Sequence, residues 1–185
     1  KLKSMNAEEA GTPEIKITYS RSGQGAGSRT AVWIEDSRGN LIVTLHRSVG
    51  GVIQPFPVRL VNSEKKAGKV SDNTWDACTG PTTKGGSAGA TYTFTWNCKD
   101  ARGRIVPDGE YTYKVENARY RVPFPPQTNL NYGKIIKGKK PETSTGIIDT
   151  TPPPLLTSLL AAFNIKRSGQ PPDAPEEKTE EEKYE

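Results

Sequence analysis

The chain has 185 residues, only 32% of them hydrophobic, with 18 glycines and 15 prolines. That make-up suits an all-β domain rich in turns and flanked by segments that do not fold on their own. No apolar run reaches the length of a membrane-spanning helix, so no helical membrane span is expected. The net charge of +5 is unevenly distributed: residues 173–185 hold seven acids and two lysines, leaving about +10 on residues 1–172. The basic residues are scattered, with the densest group at Lys134, Lys137, Lys139 and Lys140. They are read as surface lysines above a solvated acidic tail; an anionic partner screened by that tail is the alternative.

Residues 1–13 show no apolar periodicity and end in Gly-Thr-Pro, as a leader or linker would. From Glu14 to Ser20, Ile15, Ile17 and Tyr19 alternate with Lys16 and Thr18, the period of a half-buried strand. The glycine-rich RSGQGAGSR that follows leads into another strand instead of opening a helix, so a turn is expected and not a phosphate cradle. Residues 30–36 and 40–46 form two strands joined by Asp36-Ser37-Arg38-Gly39-Asn40, whose Asp and Gly carry turn chemistry. The pattern recurs at Asp100-Ala101-Arg102-Gly103-Arg104, and in both places a Trp (Trp33, Trp96) lies three or four residues before the Asp. Calcium loops need oxygen ligands at alternating positions, which neither copy has, so repeated turn chemistry is the reading.

Residues 48–68 are irregular, and Trp75-Asp76-Ala77-Cys78-Thr79-Gly80 precedes a glycine-rich loop. Trp75 is a candidate stacking platform for a sugar or small ligand, although tryptophan in such a setting is more often a core plug. The spacing of Cys78 and Cys98 is compatible with a disulfide tying that loop to the next strand, worth about 3 kcal/mol. Two free thiols is the alternative. In residues 91–117, Thr91, Thr93 and Thr95 alternate with Tyr92, Phe94 and Trp96, and Tyr111, Tyr113 and Val115 resume the alternation beyond the turn. A hairpin is expected there. Short strands are expected at 132–137 and 146–150. After Pro152-Pro153-Pro154, the apolar residues Leu155, Leu156, Leu159, Leu160 and Phe163 share one face at helical spacing, so propensity favours a short helix. Residues 168–185 are expected to be a disordered acidic tail.

Three stretches together carry a resemblance: Ala31-Val32-Trp33-Ile34-Glu35-Asp36 with its Gly turn, Trp75 to Gly80, and Thr93 to Tyr111 through Val106-Pro107-Asp108-Gly109. Their order resembles a family of predicted periplasmic bacterial domains, domain of unknown function 2271, over roughly residues 14–120. More loosely it is similar to the immunoglobulin-like domain of flagellar hook-capping proteins. The resemblance implies an exported, periplasmic or extracellular, immunoglobulin-like antiparallel β-sandwich over residues 14–150 with a Pro-rich C-terminal extension. It also implies a closing strand at 151–167 where propensity reads a helix. It implies no catalytic residue, metal or cofactor.

Tests for chemistry on the residues themselves point the same way. The single histidine, His46, has no nucleophile elbow to serve. Carboxylate pairs such as Glu35-Asp36 and Asp100 with Asp108 sit at turns, where structural roles are expected. Tyr111, Tyr113, Lys114, Arg119, Tyr120 and Arg121 interleave basic and aromatic types only faintly, so no nucleic acid partner is expected. The resulting expectation is a non-catalytic domain for binding or assembly, engaging a protein partner or copies of itself. Leu155, Leu156, Leu159, Leu160 and Phe163 would serve as an assembly arm. A carbohydrate- or small-ligand-binding module using Trp75 is the alternative.

Overall fold

The computed structural model describes residues 11–23, 29–47, 66, 89–119 and 127–166. Eight strands follow in chain order: β1 (Thr12–Arg21), β2 (Arg29–Asp36), β3 (Leu41–Arg47), β4 (Thr91–Trp96), β5 (Gly109–Arg119), β6 (Gln127–Lys137), β7 (Glu142–Thr145) and β8 (Leu156–Lys166). They form two four-stranded sheets, β4-β1-β8-β7 and β3-β2-β5-β6, with every pairing antiparallel. The fold is an all-β sandwich.

The alternation read in the sequence sets which side chains meet between the sheets. Ile15, Ile17 and Tyr19 of β1 and Phe94 and Trp96 of β4 face Val32, Ile34, Tyr111, Tyr113 and Val115 of the opposite sheet in one buried core. Each such apolar side chain contributes about 1.5–3 kcal/mol when fully buried. The unbroken apolar run Ala31-Val32-Trp33-Ile34 has its own cause, because β2 is buried on both faces. Val32 and Ile34 enter the core, while Ala31 and Trp33 form a small cluster on the outer face with Leu41 and Leu130. There Trp33 Nε1 donates to Glu35 Oε1 at 2.8 Å and Lys114 Nζ donates to Glu35 Oε2 at 2.6 Å.

The strand pairings follow the immunoglobulin pattern, in which B lies beside E in one sheet and C, F and G are neighbours in the other. β1 and β4 take the B and E places, and β2, β5 and β6 take those of C, F and G. β3 extends the second sheet beside β2. The place beside B that strand A normally fills is taken by β8, from the far end of the chain. A tyrosine corner closes the crossing into β5: Tyr111 Oη donates to the Pro107 carbonyl at 2.7 Å.

Four expectations need correction. Residues 91–117 are not a hairpin: β4 pairs with β1 and β5 with β2 and β6, so the chain crosses between sheets. The crossing sets Trp96 edge-on against Tyr111, ring centroids 5.2 Å apart, where a hairpin would lay both aromatic rows on one sheet. The segment around Leu155–Phe163 is strand β8, as the resemblance implied, and not the helix that propensity favoured; it is bonded to β1 on one side and β7 on the other. The strand expected at 146–150 is a strap crossing from β7 to β6. It holds only the Tyr132–Ile147 bridge, while the strand itself lies just before it at Glu142–Thr145. Finally, Thr12 and Pro13 belong to β1 and not to a leader, paired with Lys166 and Ile165.

The strap is anchored by its own polar groups. Asp149 Oδ2 accepts from Leu130 N at 3.0 Å, and Asp149 N donates to Asn131 Oδ1 at 2.9 Å. It crosses closely: a side chain at Gly133 would overlap the Tyr113 ring and come within 2.9 Å of Gly146 Cα.

Candidate functional site

The two ends of the sandwich are built differently. At one end the strands are joined by compact turns whose sequence echo becomes a structural one. In each turn Asp N donates to the carbonyl four residues on, and Gly N (Gly39, Gly103) returns a bond to the Asp carbonyl. Asp36 Oδ1 accepts from Arg38 N and Asn40 N at 2.9 and 2.8 Å. Asp100 Oδ1 accepts from Arg102 N and Arg104 N, both at 2.9 Å. Gly39 and Gly103 sit at φ of 76° and 77°, left-handed values that glycine adopts without steric cost.

At the other end the chain leaves β1, β3 and β5 for residues 22–28, 48–90 and 120–126. It returns at the starts of β2, β4 and β6. The register pairs Ser20 with Thr91, Ala31 with Arg47, Arg29 with Ala118 and Arg119 with Gln127. Arg21 Nη2 donates to Thr30 Oγ1 at 3.0 Å, joining the two sheets at this same end. The strand ends that bracket these three connections therefore meet on one rim.

Beneath that rim the interior turns polar. Arg21, Thr30, His46, Asn117, Asn129 and Asn131 are all buried. Asn117 Nδ2 donates to Thr30 Oγ1 at 2.9 Å, Asn131 Nδ2 donates to Asn117 Oδ1 at 3.2 Å, and Asn131 Oδ1 accepts from the strap. A continuous hydrogen-bonded row thus runs from β1 through β2, β5 and β6 to Asp149. The Arg21 guanidinium lies 5.1 Å from the centre of the Tyr92 ring, within cation–π range. His46 packs on Phe94, centroids 4.9 Å apart. Burial, and then the positive charge of Arg21, pull its pKa down to about 4, so it is neutral at physiological pH. Burial also raises the pKa of Tyr19, partly offset by hydrogen bonds from Thr30 and Arg21. Such a floor holds strand ends in register and supplies hydrogen-bonding groups below the loops.

The residues singled out in the sequence fall in different places. Trp75 and Cys78 lie outside the described residues. Cys98 is a buried free thiol, so the structure does not contain the expected bridge. Its φ of 55° seats Cys98 in the core beside the Trp96–Tyr111 contact, and burial pushes the thiol pKa up to about 12. Of the five residues read as an arm, Leu155, Leu156, Leu159 and Phe163 are buried in their own core, and only Leu160 is outward, 48% exposed. The segment fills a central place in its own sheet instead of extending from it.

Tyr111 and Tyr113 face the core while Lys114 faces the opposite side, so they do not make one interface. Tyr120 and Arg121 lie outside the described residues. Asp36 and Asp100 spend their carboxylates on their own turns, Glu35 bonds Trp33 and Lys114, and Asp108 pairs with Lys137. Among the described residues no group of His, Cys, Asp and Glu is arranged to hold a metal ion. The polar floor itself was missed in the sequence, although asparagines at the core-facing positions 117, 129 and 131 were a signal for it.

Comparison with family models, curated proteins and solved structures finds no match for this chain.

Proposed function

We propose that this chain is a non-catalytic β-sandwich module for binding or assembly, whose recognition surface is the loop-bearing end. The observation that supports this reading is the meeting on one rim of the strand ends that lead into residues 22–28, 48–90 and 120–126, above a hydrogen-bonded floor, with compact turns at the opposite end. Rigid scaffolds commonly present their binding loops in this way. Trp75 belongs to the longest of these connections, so a carbohydrate or small ligand is one occupant and a protein partner is the other. Assembly through an arm at Leu155–Phe163 is the weaker form, because those residues are engaged in their own sandwich. Export to the periplasm or the extracellular space belongs to the same proposal.

The test is a fluorescence titration of the tryptophans against a polysaccharide panel, run beside affinity capture from the source organism. The expected result is a saturable response or a defined partner that is lost when residues 80–88 are replaced by a Gly-Ser linker, with the thermal midpoint kept. Retention of binding after that replacement, or on a chain altered only at the turn end, argues against the loop end. A wholly cytosolic pool on cell fractionation argues against export.

A further inference from the structure

The compact-turn end carries a charge imbalance that the fold does not use. Arg38, Arg102, Lys139, Lys140 and Lys166 are exposed there, and none forms a salt bridge among the described residues. The acids of the same end are mostly engaged: Asp36 and Asp100 by their own turns, Asp108 by Lys137 and Glu110 by Lys134. Glu14 and Glu35 are paired with Lys16 and Lys114, and Glu142, half-buried opposite Phe163, has no salt bridge among the described residues. Cations therefore outnumber the anions able to answer them, in a region where the strands end.

The acidic stretch of this chain is attached at that end. β8 finishes at Lys166, opposite Thr12, and Glu142 pairs with Phe163, so the turn bearing Lys139 and Lys140 lies about 10 Å from the last residue of β8. Residues 167–172 then lead to residues 173–185, with their seven acids and two lysines. A connection of that length spans at most about 20 Å, enough to bring the start of the acidic stretch to the basic end.

We propose that residues 173–185 dock on the compact-turn end of their own chain, across Lys139, Lys140, Arg102 and Lys166. The contact is electrostatic and multivalent. Individual exposed pairs are weak, but tethering holds the two charge sets at high effective concentration. The acidic stretch is thereby a built-in competitor: an external polyanion reaches this end only by displacing it. The inference concerns the end opposite the loops and does not depend on the function proposed for them.

Zero-length carbodiimide cross-linking of the full chain tests it, on an equal mixture of ¹⁵N-labelled and unlabelled protein. Cross-links from Glu176–Glu182 to Lys139 and Lys140 are expected within single chains at about 20 mM NaCl, falling at least about five-fold at 0.5 M. The double variant Arg102→Glu, Lys140→Glu, at exposed positions, should keep the thermal midpoint and lower the cross-links to Lys139, whose own amine it retains. A chain ending at residue 167 should need more salt to elute from a sulfated-polysaccharide column than the full chain, and the double variant should cancel that gain. Cross-links found mainly between labelled and unlabelled chains would overturn the proposal by assigning the acidic stretch to a neighbour. Cross-links that reach Lys114 as often as Lys139, or that stay unchanged at Lys139 in the double variant, would overturn it as well.

Discussion

His46 shows how the interior constrains a single side chain. It lies between the Phe94 ring and the charge of Arg21, and both burial and that charge disfavour its protonated form. Its pKa in the folded chain is about 4, against 6.5 for an unperturbed imidazole. The unfolded chain therefore binds this proton first, and stability falls as pH drops from about 6.5 to about 4, by up to roughly 3 kcal/mol. Urea midpoints measured between pH 7 and pH 4 should show this slope, and His46→Gln should flatten it. The turn carboxylates act in a lower window. Asp100 is held below the usual range by Arg104 and by backbone N–H groups, while Asp36 is lowered by Asn40 and Arg38 against the opposing effect of burial. Their contribution is lost only as pH falls below the ordinary aspartate range.

Cys98 gives a second prediction at this scale. As a buried thiol whose pKa lies near 12, it should resist iodoacetamide at pH 8 in the folded chain and react once the chain unfolds, as read by mass shift. Labelling in the folded state at the rate of a free thiol would contradict the described burial.

Among the elements, β8 shows local preference yielding to a vacant place in a sheet. LLTSLLAAFNIK has the spacing of an amphipathic helix and no clean period of two. Yet between β1 and β7 it buries Leu156, Leu159, Ala161 and Phe163 against the core. The strand place wins because it satisfies the backbone groups of β1 along nearly its whole length, from Thr12 to Arg21. The two faces should answer differently to truncation. Leu159→Ala, at a fully buried position, should cost about 2–5 kcal/mol, whereas outward Leu160→Ala should stay within about 0.5 kcal/mol. Denaturant midpoints of the two variants decide this; equal losses would mean that β8 does not sit in the described register. The crossing from β4 to β5 makes the related point that two strands close in sequence need not be neighbours. Their aromatic rows meet across the core, edge-on in the Trp96–Tyr111 contact.

For the whole molecule, the sandwich is completed by its last described strand. β8 joins β1 to β7 and thereby holds the strap whose Asp149 bonds β6. Deleting residues 156–166 should abolish the cooperative thermal transition instead of leaving a smaller stable sandwich. Circular dichroism melting checks this, and a retained sharp transition would show that β8 is dispensable.

Much of this architecture was legible in the residues themselves. The period of two in Glu14–Ser20, Thr91–Trp96 and Tyr111–Val115 determined the strands and their inward faces, because alternation depends only on the pleat of each strand. The two Asp-x-Arg-Gly turns were readable for a similar reason, since their bonds close within five residues. Partnership between distant strands was not readable, because it depends on how all the faces are covered at once. The tertiary structure alone decided that Thr91–Asn117 bridges two sheets, that the Leu-rich segment becomes a central strand, and that Cys98 is a core thiol. It alone also brought together at one end the strand ends that bracket the three connections, and at the other the cations without a salt bridge among the described residues. Local sequence sets the shape of each piece; burying every apolar face while pairing every strand sets where the pieces go.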